Sequence, residues 1–142
     1  MTTSHRFPLL AAGIFGTTGV ALGAFGAHSL QAFLAERGMT HSWDSAARYQ
    51  LVHVAALFAA AAWLKKTIVA SGADATAAGA LGAKRIAWAA RCWSAGIILF
   101  SGSLYGLAVG GPRWLGPITP LGGVAFMAGW VLVIAAAMAK DE

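Results

Sequence analysis

The chain has 142 residues, enough for one domain. It is 58% hydrophobic and only 11% charged, less than half of the roughly 25% usual in soluble domains. That excludes a soluble globular protein and points to an integral membrane protein. The formal charge of +5 does not imply nucleic acid as a partner, because the basic residues stand at the ends of apolar runs rather than in a patch interleaved with aromatics.

Four apolar segments, 7–27, 46–64, 88–109 and 117–139, can each cross about 30 Å of hydrocarbon, which takes about 20 helical residues. The first follows Arg6 and exceeds the roughly 7–15 residues of a signal-peptide core, so it is read as a retained span. Gly13, Gly16, Gly19, Gly23 and Gly26 recur three or four apart along it and form one face for close helix packing. Residues 28–37 keep a helical period up to Gly38, a plausible stop, with Leu30, Phe33 and Leu34 able to lie on the membrane surface.

In the second span Ala46, Tyr49, Gln50, His53 and Leu57 share a face, because residues three and four apart are neighbours. Lipid offers Tyr49, Gln50 and His53 no partner, so they must face protein. Residues 67–85, rich in Ala and Gly, are expected to form a flexible loop, with a frayed continuation of the second span as the alternative. Cys92 is the lone cysteine and reads as a packing residue. The third span contains Phe100-Ser101-Gly102-Ser103-Leu104-Tyr105-Gly106, and Gly102, Gly106 and Gly110 give a second small-residue face. The connection at 110–117 is short, so spans three and four should be antiparallel neighbours. Thr119 is expected to cap the fourth helix, with Pro120 in its first turn.

The expected fold is therefore all-α, a single-domain antiparallel four-helix bundle in the membrane (residues 1–142). Arg6, Lys65, Lys66, Lys84, Arg85, Arg91 and Lys140 fall on one side of it, and Arg37, Arg48 and Arg113 on the other. The positive-inside rule places both termini and the 67–85 loop in the cytoplasm.

Counting inward at about 1.5 Å per residue brings His53 and Ser101 near mid-membrane. Gln50 and Ser103 come one level outward, Tyr49 and Tyr105 another, with His28 and Thr119 near the external interface. Such a cluster is either a hydrogen-bonded core that fixes helix register or a site. As a core, His53 would bond Ser101 or a backbone carbonyl, and Gln50 would bond Ser103 or Tyr105. As a site, it would orient the polar end of a small or lipid-like ligand, or receive a partner helix.

His28, His41 and His53 are candidate zinc or copper ligands, and two of them could ligate haem. No dense ligand motif accompanies them, so no metal or cofactor is favoured. Span interiors contain no carboxylate and no Ser–His–Asp order, which favours a non-enzymatic protein. The alternatives are an accessory or assembly subunit of a larger membrane complex, and a homodimer able to form a transport path.

Several segments together resemble the small bacterial inner-membrane proteins of the YgdD/YwdK type, a family defined by a domain of unknown function. They are Gly23-Ala24-Phe25-Gly26-Ala27-His28-Ser29-Leu30; Trp43 with Ala46, Tyr49-Gln50 and His53; Phe100 to Tyr105; and Thr119-Pro120-Leu121-Gly122-Gly123 with Phe126 and Gly129-Trp130. The resemblance covers nearly the whole chain. It implies a four-span protein of the bacterial inner (plasma) membrane with no agreed activity. The long Ala/Gly loop looks like an insertion relative to the shorter connection of the family.

Overall fold

The computed structural model describes residues 5–71 and 77–139. Helix α1 (Arg6–Ala27) carries Pro8 in its first turn, where the missing N–H breaks no helical bond. It lies along α3 (Thr40–Ser71) through its small residues. A Cβ on Gly16 would stand 3.3 Å from Val54 and one on Gly19 3.0 Å from Leu51, while Gly26 lies against the Trp43 indole. Gly13 and Gly23 meet nothing within 4 Å, so α3 uses only part of the glycine face.

Between these helices, α2 (Gln31–Glu36) is one short amphipathic piece that stops at Gly38. Met39 N–H donates to Leu34 O at 2.8 Å and Gly38 N–H to Ala35 O at 3.0 Å, with Gly38 at φ +65°. This paired-bond stop needs a left-handed residue, which glycine supplies without strain. The same device, built on Gly110 at φ +93°, ends α5 (Gly102–Ala108), where Gly111 N–H donates to Gly106 O at 2.8 Å. Arg37 Nε donates to Ala108 O at 3.1 Å and ties the two stops together. A cation suits the carbonyl end of a helix.

The flexible loop expected at 67–85 needs correction. Helix α3 runs on to Ser71 and α4 (Ala77–Gly96) is already helical from Ala77, while 72–76 lie outside the described residues. Alanine is the strongest helix former, and it dominates this stretch. Gly82 has a packing reason as well, since α4 passes there between the Trp63 ring and Ala136 O.

Helix α4 continues into a π turn (Ile97–Ser101) and then α5, making the third long helix. A single 3₁₀ turn (Arg113–Leu115) leads into α6 (Ile118–Ala137). Thr119 does not cap this helix. It is the second residue of α6, which starts after Pro117 without a side-chain cap and holds Pro120 in its first turn.

The protein is an antiparallel membrane bundle of four long helices. Helix α1 packs chiefly on α3, and α6 chiefly on α4 and the π turn, with α3 and α4–α5 meeting at the centre. Leu57 and Leu64 of α3 interlock with Ile86, Trp93, Ile97 and Phe126 in the main core, and Leu34, Trp43 and Ala108 form a smaller one near the glycine stops. Leu121, Val124, Met127, Val131 and Ile134 line the outer side of α6 and stay 57–61% exposed. So long an apolar stripe fits hydrocarbon, not water. The stretches Arg6–Ala27, Thr40–Thr67 and Arg113–Ala137 are each long and apolar enough to cross a membrane. The third long helix differs because its first half carries Lys84, Arg85 and Arg91 and the π turn interrupts it.

Candidate functional site

Gln50 is the knot of the buried polar network. It is 3% exposed, and its amide Nε2 donates to Phe15 O at 2.8 Å and to Thr18 Oγ1 at 3.0 Å, while Oε1 accepts from Tyr105 OH at 3.0 Å. One side chain thereby joins α1, α3 and α5. The missing side chain of Gly19 makes room, since a Cβ there would stand 3.1 Å from Nε2.

One turn along α3, His53 is buried with its ring stacked on Phe126, centroids 3.7 Å apart and planes 11° from parallel. Trp130 Nε1 lies 3.2 Å from His53 Nε2, and His53 Nδ1 lies 2.7 Å from Tyr49 O. An indole N–H only donates and a carbonyl only accepts. The pattern therefore assigns the neutral tautomer, with the proton on Nδ1 given to Tyr49 O and Nε2 accepting from Trp130.

The serines serve separate joints. Ser101, fully buried on the π turn, donates to Ala46 O at 2.8 Å and so pins α3. Ser103 donates to Phe100 O at 3.0 Å or shares a 2.7 Å bond with Thr119 Oγ1, which links α5 to α6. Trp43 Nε1 donates to Leu22 O at 2.8 Å, and its ring meets the Tyr105 ring edge-on at 4.7 Å.

Of the residues singled out from sequence, Gln50, His53, Ser101, Ser103, Tyr105 and Thr119 are thus parts of interhelical joints. Of the alternatives read from sequence, His53 takes the backbone carbonyl, Tyr49 O, and not Ser101, which bonds Ala46 O, while Gln50 takes Tyr105 and not Ser103. Tyr49 is 47% exposed and contributes its ring, 4.7 Å from Phe100, at the edge of the cluster. His28 lies exposed at the end of α1, where its backbone N–H bonds Ala24 O, and His41 is exposed at the start of α3. His28, His41 and His53 do not gather: among the described residues no group of three His, Cys, Asp or Glu side chains is placed to hold a metal. Sequence reading missed Thr18 and Trp93, and it named Trp43 and Trp130 without giving their indoles a bonding role. Gly26 and Gly129 hint at two of them, because each glycine accommodates an indole, that of Trp43 and of Trp93 respectively.

Beside His53, on the side of the lysine-rich helix ends, α3, α4 and α6 leave a partly open cleft of about 310 Å³. Ala56, Ala59 and Ala60 form one wall and Ile86, Trp93 and Trp130 much of the rest. Trp93 and Trp130 close its upper end with rings 4.8 Å apart. A larger concavity of about 1050 Å³ follows α1 from Arg6 to Thr18, but its lining residues all come from that one helix. It is an outer helix face and encloses nothing.

Trp93 Nε1 is sealed from solvent and has no hydrogen-bond partner. An unpaired buried donor costs about 1–3 kcal/mol, whereas the ring fills the core. Trp93→Phe should accordingly be near neutral, within about 1 kcal/mol of the parent despite the smaller ring. Chemical unfolding in micelles reads this directly, and a loss as large as that of Trp93→Ala would mean that the N–H is bonded after all.

The family described as "Protein of unknown function (DUF423)" matches residues 22–123. The chain is 39% identical to UPF0382 membrane protein YwdK of Bacillus subtilis over 119 residues, covering 84% of this chain and 85% of that one. It is 35% identical to UPF0382 inner membrane protein YgdD of Escherichia coli K12 over 136 residues, covering 95% and 92%. No solved structure matches. With its four packed helices and a match that runs from the end of α1 into α6, the chain belongs to the DUF423 family of small multi-span membrane proteins.

Proposed function

We propose that this protein is a non-catalytic protein of the plasma membrane that binds a lipid-like molecule in the cleft between α3, α4 and α6, with both termini and the lysine-rich end in the cytoplasm. The cleft carries the reading: about 310 Å³ is at the lower end of the roughly 300–1,000 Å³ usual for ligand sites. Its alanine and tryptophan walls suit an apolar chain. The neighbouring polar network favours a supporting role over a contacting one, because Gln50, Ser101 and both nitrogens of His53 are engaged with other helices or with the backbone. The same engagement argues against catalysis, since Ser101 Oγ is directed to Ala46 O and not to His53. The orientation follows from the bias of Lys and Arg toward one end.

The test is lipid retention. Purified protein extracted in a mild detergent should carry lipid identifiable by mass spectrometry. Ala59→Phe, which adds a ring from the open side of the cleft, should remove it while leaving the fold intact. Equal lipid in parent and variant would sink the reading. The accessory-subunit reading has Gly13 and Gly23 of α1 in its favour, which face open space on a helix packed chiefly on one side. Stable co-purification with a larger membrane complex, in place of retained lipid, would favour it.

A further inference from the structure

We propose that the occupant of the cleft is an anionic phospholipid, with one acyl chain between α3, α4 and α6 and its phosphate on Arg85 and Lys66. This rests on the lipid-binding reading above and gives its ligand a headgroup. The two ends of the cleft differ chemically. At the His53 end, Trp93 and Trp130 shut it with apolar rings, and Trp130 is fixed by its bond to His53. At the other end Trp63, Gly82 and Ala136 lie at one level, since a Cβ on Gly82 would stand 3.6 Å from the Trp63 ring and 3.8 Å from Ala136 O.

Arg85 is one turn beyond Gly82 on α4. Its side chain leans back toward the helix N-terminus, as helical side chains do, and Nη1 donates to Ala135 O at 2.6 Å. The guanidinium is therefore held, half-buried, at the level where the cleft ends. A guanidinium has five N–H donors in a planar fork that matches phosphate oxygens, and the bond to Ala135 takes one. Lys66 lies three residues after Trp63 and seven after Ala59, so it continues the cleft-lining face of α3 by one turn, and it is exposed. Arg91 is otherwise occupied, with its guanidinium 4.7 Å from the centroid of the Trp88 ring.

An amphiphile with one negative end fits this polarity. The chain meets only apolar wall over the rise from Ile86 to Trp93, about 10 Å of helix, and the charge meets the two cations. A neutral apolar molecule would leave the remaining donors of Arg85 and the Lys66 ammonium unused. A free phosphate would leave the cleft empty.

The full-length protein, placed in nanodiscs of equal phosphatidylglycerol and phosphatidylcholine and released for native mass spectrometry, should retain phosphatidylglycerol in excess. Lys66→Gln and Arg85→Gln should each lower the ratio of the two retained lipids about fivefold, the effect of removing one cation near a lipid surface. Ala59→Phe should remove both lipids. A parent ratio equal to that of the nanodisc, or a ratio unmoved by both glutamine variants, overturns the headgroup assignment and leaves the cleft reading standing. Retention unaffected by Ala59→Phe overturns the cleft reading itself. Lys66 is exposed, so Lys66→Gln answers the question even where Arg85→Gln disturbs the fold.

Discussion

Gly122→Ala is expected to dislodge α6 from the π turn and to cost the bundle about 3 kcal/mol, the upper end of the range for overpacking a filled core. A Cβ at this position would run into the backbone N and Cα of Phe100 as well as its Cβ. Side-chain neighbours can rotate away, but a backbone fixed on the π turn can yield only by moving the whole helix. Gly123→Ala is the control one residue along. Nothing lies within 4 Å of a Cβ there, and alanine's helix preference would add up to about 1 kcal/mol of stability. Thermal and denaturant unfolding of the two variants in the same micelles should part widely. Matching curves would show that α6 does not press on Phe100.

Gln50→Leu is expected to cost about 2 kcal/mol. Three bonds disappear, each worth about 0.6 kcal/mol on average in a membrane protein, and the Tyr105 hydroxyl loses its acceptor. Thr18 keeps its bond to Ile14 O at 3.0 Å, so Tyr105 is where the penalty concentrates. The sign of the coupling follows. Tyr105→Phe alone should destabilise the parent modestly, yet the same change should restore part of the loss in the Gln50→Leu background, because it removes the orphaned hydroxyl. Strict additivity in the double-mutant cycle would mean that Tyr105 and Gln50 do not share a bond.

Much of the architecture was legible in the chain. Four apolar runs separated by basic or glycine-rich joints state a helical membrane bundle, and Gly38 marks a helix stop for a reason that sequence contains. The Tyr105–Gln50 pair was readable because a buried amide in hydrocarbon must find a partner and few exist. What failed did so for identifiable reasons. Helix α3 begins at Thr40, six positions before the apolar segment does, so a count from Ala46 sets Gln50 against the wrong turn of α1. Counted from Thr40, Gln50 is ten residues in and stands opposite Thr18, nine residues back from the end of α1. For residues 67–71 and 77–85 the helical alternative holds over the flexible one, because alanine serves both flexible composition and helix propensity. The π turn was invisible, and it matters: one extra residue in a turn shifts all that follows by about 100° relative to regular α pitch. Period counting from Trp88 therefore loses phase before it reaches Ser103 and Tyr105.

Because His53 is held as a neutral ring between Trp130 and Tyr49, and because residues 7–27, 49–64, 92–112 and 114–139 contain no Asp, Glu, Lys or Arg, the bundle interior holds no formal charge. A transmembrane voltage does work of about 2.3 kcal/mol per elementary charge per 100 mV. Here it finds no lever. The electric field of an energised cell acts on the charges flanking these stretches, among them Glu36, Arg37, Asp44, Arg48 and Arg113 on one face and Arg6, Lys65, Lys66, Lys84, Arg85 and Arg91 on the other.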